Sequence, residues 1–397
     1  MTTAAPDQPG DGSAPILPPA TIGVLGGGQL GRYFVMAART MGYRTMVLEP
    51  DPDAPAGAAA DVHLAAPYDD RDALGRLGRE CAVVTTEFEN PPAAALAALA
   101  TSTIVRPSPA AIATMQDRRT EKAFLTGAGV PVAPYAVVDT ADDLRTPMAE
   151  RGVAFPAIVK TARLGYDGKG QVTVADDREL ADAWYELGEV GCVVEQRLPL
   201  QQEVSVVLAR GVDGRCAVHP TVANTHVRGI LDLTVVPAQT SDHVAEQAVV
   251  LATSIAVALD YVGVLAVEMF VVDGELLVNE LAPRPHNSGH WTLDAAATSQ
   301  FEQQVRAVCG LPLGDPSLVA SGAAMVNLLG DEWAGGDPDW TKALAGGGSH
   351  LHLYGKAEPR PGRKMGHLTV TATTPTDAAD LALALRRHAR RDLQLGH

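Results

Sequence analysis

The sequence predicts a mixed α/β and α+β protein, and three observations carry that expectation. A short apolar run, a glycine-rich turn, a helical stretch and a second apolar run open the chain in the order of a parallel βαβ unit. Farther along, β-branched runs alternate with one helical stretch around a second glycine-rich segment, as in a small α+β lobe. The 397 residues exceed the ~100 to 200 of a typical domain, so two or three cores are expected.

Residues 1–19 carry acids and prolines but no Lys or Arg, and read as a disordered tail. The first strand is 22–25, followed by a helix over 32–41 and a strand over 43–48; 81–86 is a later strand and 93–100 an Ala-rich helix. These make one α/β domain over 20–112. A second unit, 113–312, opens with a helix over 115–125 that Val130, Pro131 and Pro134 end. Its small lobe, about 130–205, takes strands at 157–160, 172–174, 192–195 and 204–209 and a helix over 179–187. Helical spacing of apolar residues returns over 245–259, and a hairpin turns at Asp273 and Gly274. The stretch 330–348 reads as loop or linker within a C-terminal α+β unit, 313–390, whose last element is a helix over 381–388.

Lys plus Arg number 31 against 47 Asp plus Glu, a net charge of −16. That balance opposes non-specific binding to nucleic acid or anionic membranes, so an anionic ligand needs a local basic cluster. The four cysteines are scattered without a CxxC pair, which excludes the usual zinc and disulfide patterns. The chain opens without a basic signal-peptide start, and no apolar run approaches ~18 residues. A cytoplasmic enzyme is expected.

Five segments carry chemistry. Gly26, Gly28 and Gly31 match G-x-G-x-x-G, with Glu49 where a ribose-binding acid would stand. Alone they suggest an NAD(P) oxidoreductase, although the same turn suits any phosphorylated ligand. Gly165, Tyr166, Asp167, Gly168, Lys169, Gly170 and Gln171 form a hairpin loop able to fold over phosphates, with Lys169 to neutralise them. Only six lysines occur in the chain, and Lys160, Lys169 and Lys364 fall in segments already singled out. Glu268 and Glu280 lie on the two arms of the hairpin, where Mg²⁺ would compensate buried carboxylates. A two-residue turn pairs Glu268 with Asn279 and sends Glu280 to the opposite face; a three-residue loop with Gly274 left-handed puts both acids on one face. The stretch 284–291 is dense in hydrogen-bonding groups, and 360–364 with Lys356 is a local cation cluster.

Taken in order, GGGQLGR, TEFEN, GYDGKGQ, VEMF with VNELAPR, HNSGHW and RPGRKMGHL resemble the N5-carboxyaminoimidazole ribonucleotide synthetases of purine biosynthesis. The resemblance spans roughly 20–385. It implies an ATP-grasp fold with an N-terminal Rossmann-like (pre-ATP-grasp) domain and a small C-terminal domain. It also implies a ligase that makes carboxyphosphate from ATP and bicarbonate and passes the carboxyl to aminoimidazole ribonucleotide, with Mg²⁺ and as a homodimer.

The resemblance places Arg118 and Lys160 at ATP, 165–171 as the lid, Glu195, Gln196, Arg197 and Leu198 as the adenine hinge, and Glu203 on the ribose. His226 and Asn279 fall in the nucleotide site, and Glu268 and Glu280 are the metal ligands. Tyr166, Asp167, Lys169, Arg284, His286, Asn287 and Ser288 line the bicarbonate and imidazole side, with Asp167 the first choice of proton acceptor. Gln29, Leu30, Glu87 and Asn90 contact the ribonucleotide, whose phosphate meets Lys356, Arg363 and Lys364.

Ala282 stands where many ATP-grasp ligases have Asn, which argues against a peptide ligase. The rivals are formate-dependent glycinamide ribonucleotide transformylase and biotin carboxylase within the ligases, and outside them an NAD(P) oxidoreductase or a non-catalytic nucleotide-binding scaffold.

Overall fold

The computed structural model describes residues 14–165 and 168–391. Three sheets follow one another along the chain. In the first, β1 (Thr21–Leu25), β2 (Arg44–Leu48), β3 (Val62–Leu64), β4 (Val83–Thr86) and β5 (Ile104–Val105) run parallel in the order β3-β2-β1-β4-β5. Ile22 and Val24 pack with Tyr33 and Phe34 of the helix Gln29–Thr40, while Leu25, Met46 and Leu48 meet Leu77, Leu96 and Leu99 from helices on the other face. A parallel sheet covered on both faces needs such continuous apolar strands.

The lobe sheet is antiparallel: β6 (Tyr135–Val138), β7 (Ala157–Thr161), β8 (Gln171–Val174) and β9 (Cys192–Gln196), in the order β6-β9-β7-β8. The lid segment joins β7 to β8, with Lys160 opposite Gln171 at its base.

The third sheet holds nine strands: β10 (Gln202–Arg210), β11 (Cys216–Val218), β12 (Val222–Val227), β13 (Ile230–Val236), β14 (Gly263–Val272), β15 (Glu275–Ala282), β16 (Gly322–Leu329), β17 (Ser349–Leu353) and β18 (Lys364–Ala372). Its order is β15-β14-β10-β12-β13-β16-β18-β17, with β11 beside β10. The C-terminal strands extend this sheet through the β13–β16 ladder instead of forming one of their own.

Several elements differ from expectation. The expected tail lies outside the described residues up to 13, but Ile16 is pinned, its N–H donating to the Cys309 carbonyl at 2.8 Å and its carbonyl accepting from the Tyr43 hydroxyl at 2.7 Å. The first helix starts at Gln29, inside the glycine turn. The helix expected over 115–125 is two, Pro109–Met115 and Arg118–Gly127, because Asp117 caps the second through the Arg119 N–H. A short helix, Trp340–Ala343, interrupts the expected linker, and the last helix runs Pro375–Ala389, capped by Thr374.

The β14–β15 hairpin resolves the register question in a way neither alternative contained. Its turn is a two-residue turn, with Asp273 at φ 51° and Gly274 at φ 80°, and Val272 pairs with Glu275. The ladder runs regularly to Met269 opposite Val278, then a β-bulge leaves Asn279 as an extra residue and pairs Glu268 with Glu280. The bulge, not the turn, puts both acids on one face. A Cβ at Gly274 would meet no atom within 4 Å, so backbone conformation alone selects glycine there. Gly274→Val should cost about 1–2 kcal/mol in urea unfolding; an unchanged midpoint would show that the turn relaxes without cost.

Candidate functional site

Direct pairing builds the site on one face of the central sheet. Glu268 stands opposite Glu280 on one side and Ser205 on the other, Asn224 stands opposite Glu203, and Thr234 opposite Asn224. Because side chains alternate, Glu203 and Ser205 share a face, so all six polar side chains do. The intervening Val204, Val206, Leu265, Val267 and Met269 point the other way, into a core with the helix Asp242–Ala258.

At the edge facing the lobe, two ammonium groups hold one carboxylate. Lys160 Nζ lies 2.8 Å from Glu195 Oε2 and Lys122 Nζ 3.2 Å from Glu195 Oε1. Lys122, 0% exposed, also donates to the Asn279 carbonyl at 3.0 Å, and Lys160 reaches Asn279 Oδ1 at 3.4 Å. Burial pushes the Glu195 carboxyl up, but Lys160 and Lys122 outweigh it and hold the group at about 2. Beside this knot opens a cavity of about 410 Å³, lined by Ala133, Ile158, Phe270 and the hinge Gln196, Arg197 and Leu198. Apolar walls with backbone groups at a strand end suit a heteroaromatic base.

Arg118, one turn before Lys122, lies 2.8 Å from Glu280 Oε2. Burial works against ionising Glu280, yet Arg118 wins and lowers its pKa. Glu268 lacks such a neighbour: burial first, then the Glu280 charge, push it up to about 7. Glu121, on the same helix face, is raised by burial to about 8, against the pull of Arg118. Glu203 pairs with His226, Oε2 to Nδ1 at 2.5 Å. His286 Nε2 lies 3.2 Å from Glu268 Oε1. Burial, then the Arg284 charge, hold that imidazole well below its ordinary pKa.

Arg284 reaches the first domain and pairs with Glu89, and burial lowers its pKa to about 10. Asn287 is 6% exposed, and neither its Nδ2 nor its Oδ1 has a partner among the described residues. Ser288 is buried behind His286 and bonded to its Nδ1 at 2.9 Å. Lys364 is close enough to oppose the charge of His226 and His286 and to favour that of Glu268. Lys356 Nζ donates to the Lys364 carbonyl at 2.8 Å and sits 5.5 Å from the centre of the Tyr354 ring. Arg363 donates to the Glu358 carbonyl at 2.9 Å. Of the lid, Gly165, Gly168, Lys169, Gly170 and Gln171 lie on the β7–β8 hairpin. Tyr166 and Asp167, the expected proton acceptor, lie outside the described residues.

The first glycine turn corrects the dinucleotide reading. Its Gly28 and Gly31 N–H groups donate to the Glu87 carboxylate at 2.8 and 3.0 Å, so a side chain of the protein itself occupies the anion cradle. Glu49, the expected ribose acid, accepts from the Tyr68 hydroxyl at 2.5 Å. Leu30 is buried in the first domain's core, which leaves its backbone, not its side chain, to meet a ligand; Gln29 and Asn90 are half-buried. Lys122, Glu121 and Glu89 escaped the sequence reading. Lysine scarcity was a usable signal for Lys122, since it is one of the six.

Three family models match in succession: the ribonucleotide synthetase preATP-grasp domain over residues 19–116, the ATP-grasp domain over 123–301 and the phosphoribosylaminoimidazole carboxylase C-terminal domain over 323–380. The N5-carboxyaminoimidazole ribonucleotide synthase of Bacillus subtilis is 44% identical over 357 residues, covering 89% of this chain and 92% of the relative. That of Brucella melitensis is 46% identical, covering 89% and 96%. The chain belongs to the N5-carboxyaminoimidazole ribonucleotide synthase family. Among solved members, the Thermus thermophilus enzyme matches with a TM-score of 0.85 at 41% identity, covering 94% of this chain and all (100%) of that one. The Aspergillus clavatus enzyme, in complex with ADP and 5-aminoimidazole ribonucleotide, matches at 0.83 and 30% identity, covering 93% and 98%.

The buried knot at Glu195 makes an acid-stability prediction. Its folded pKa of about 2 lies below the ordinary 4.5, so its contribution is complete above 4.5 and is lost as pH falls toward 2. Glu195→Gln should lower stability near pH 7 by about 3–5 kcal/mol, since two buried ammonium groups lose their counter-charge, and should flatten the acid decline. Denaturant titrations at about pH 7 and about pH 3.5 check this; parallel pH slopes in the two proteins would contradict it.

Proposed function

We propose that this protein carboxylates 5-aminoimidazole ribonucleotide to N5-carboxyaminoimidazole ribonucleotide in purine biosynthesis, using ATP and bicarbonate by way of carboxyphosphate. The observation that carries this reading is the Glu268–Glu280 pair on one sheet face, between the hinge cavity and the Arg284–His286–Asn287 loop. The family assignment supplies the reaction.

The hinge residues Glu195, Gln196, Arg197 and Leu198 take the adenine, and Glu203 with His226 the ribose. Arg118, Lys160 and the lid lysine Lys169 take the phosphates. The donor set fits Mg²⁺: two carboxylates face each other, and Glu268 is held near 7 by burial and its neighbour, a cost a divalent cation relieves. Glu268 and Glu280 would hold the ion, which would supply positive charge to offset that of the phosphates.

Bicarbonate is a weak nucleophile and carboxyphosphate is short-lived in water, so the residues must exclude solvent and steady negative charge. The β7–β8 hairpin provides cover. Arg284 and the Asn287 carboxamide, which has no partner among the described residues, offer donors to the carboxyl and the imidazole. Gln29, Leu30, Glu87 and Asn90 face the ribonucleotide from the first domain, with Lys356, Arg363 and Lys364 at its phosphate. A cytoplasmic homodimer belongs to the same reading and rests on the family resemblance. None of the described helices is long and apolar enough to cross a membrane.

ADP release with ATP, Mg²⁺ and bicarbonate, with and without the ribonucleotide, is the deciding measurement. Release should require both substrates, and Glu268→Gln and Glu280→Gln should each remove most of it while the melting temperature holds. Release driven instead by formate and glycinamide ribonucleotide, or by biotin, would replace this reading. Lys356→Ala should raise the ribonucleotide KM roughly tenfold and leave the ATP KM in place, as expected for one charge-assisted contact. Equal rises in both constants would take Lys356 out of the phosphate site.

A further inference from the structure

Behind His286 runs a buried row of hydrogen bonds that the carboxylate pair does not explain. His286 Nδ1 is 2.9 Å from Ser288 Oγ, which is 2.8 Å from Ser205 Oγ. Asn224 Nδ2 is 2.9 Å from Ser205 Oγ, and Thr234 Oγ1 is 2.9 Å from Asn224 Oδ1. All four side chains are buried, on β13, β12, β10 and the loop after β15.

A donor that cannot reverse fixes the direction of the row. The Ser288 backbone N–H also points at His286 Nδ1, at 3.3 Å, and an amide N–H only donates. Nδ1 therefore carries the lone pair, and the neutral ring has its single proton on Nε2. The Ser288 hydroxyl, donating to the same Nδ1, accepts from Ser205. Ser205 in turn accepts from the Asn224 amide, whose oxygen takes the Thr234 proton. Each group is satisfied with one sense of polarity. Gln300 fixes the backbone from which the ring hangs, accepting from the His286 N–H and donating to its carbonyl, both at 2.8 Å.

We propose that Ser288, Ser205, Asn224 and Thr234 are positioning residues that lock His286 in its Nε2–H tautomer, so that His286 presents a proton donor beside Glu268 and is not the base that deprotonates the amine. A donor at that place suits negative charge growing on a carboxyl or phosphoryl oxygen. This role rests on the reaction proposed above; the tautomer does not.

The test combines ¹⁵N-histidine NMR of the full-length protein at neutral pH with steady-state kinetics. The wild-type His286 signals should show a protonated Nε2 and a bare Nδ1. Ser205→Ala should mix the tautomers and lower kcat about tenfold, as loss of a ligand's outer hydrogen bond does elsewhere, with the ATP KM within about twofold. Thr234→Val, nearly isosteric, should move both readouts in the same direction, and Thr234→Ser should restore them; this pair decides the matter if Ser205→Ala does not fold. A wild-type ring protonated on Nδ1, or a folded Thr234→Val with unchanged spectrum and kcat, overturns the proposal. The NMR arm needs no turnover, so absence of ribonucleotide-dependent ADP release would overturn the proposed reaction without touching the tautomer.

Discussion

Asn279 is an extra residue in β15, and the geometry of the site depends on it. A regular ladder continued from the Asp273–Gly274 turn would set Asn279 opposite Glu268 and point Glu280 into the apolar core under the helix Asp242–Ala258, where an unpaired carboxylate costs several kcal/mol. The bulge returns Glu280 to the polar face. It also presents the Asn279 carbonyl to Lys122 and its side-chain oxygen to Lys160, so one irregularity positions the acid pair and both buried lysines. A stronger local twist is the usual companion of such a bulge.

The charges gathered there divide into two kinds. Glu195 is compensated by two ammonium groups and Glu280 by Arg118, and these neighbours favour the ionised form of each carboxyl. Glu268 and Glu121 are not so compensated, and burial raises both. Uncompensated acid concentrated at Glu268, beside an ionised Glu280, is what a cation would need to find. The first domain shows the opposite strategy: its helix N-terminus, open to a phosphate on sequence grounds, is closed by Glu87. Electrostatic fit here is set more by which groups the protein has already satisfied than by which residue types are present.

That distinction explains what was legible in the sequence. The βαβ opening, the lid hairpin, the acid pair and the 284–291 loop each follow from local pattern, and the ordered motifs named the family. The bulge did not, because turn length fixes strand parity only while the ladder stays regular. Lys122 was hidden by reading one helix through Asp117, a break that depends on a side-chain cap. Glu87 filling the glycine turn is a contact across 59 residues that no local window contains. Ser205, Asn224 and Thr234 are small neutral residues in β-branched runs, and only strand order reveals them as neighbours.

Strand order also decides which parts of the site are held together. Lys364 opens β18, and Lys356 lies in the loop between β17 and β18, strands that belong to the same sheet as Glu268 and Glu280. Moving that C-terminal cation cluster relative to the acids would break the β13–β16 ladder, so its distance from them is fixed by backbone hydrogen bonds. The lobe has its own four-stranded sheet and meets the central one at the Val132–Val278 bridge, where the Val278 N–H donates to the Pro131 carbonyl at 2.8 Å. A Cβ at Gly168, whose φ is +76°, would stand 3.2 Å from the Gly229 Cα and 3.3 Å from the Arg228 carbonyl oxygen. Gly168 thus lies against the β12–β13 turn, where a left-handed backbone and a close approach to neighbouring main chain both favour glycine.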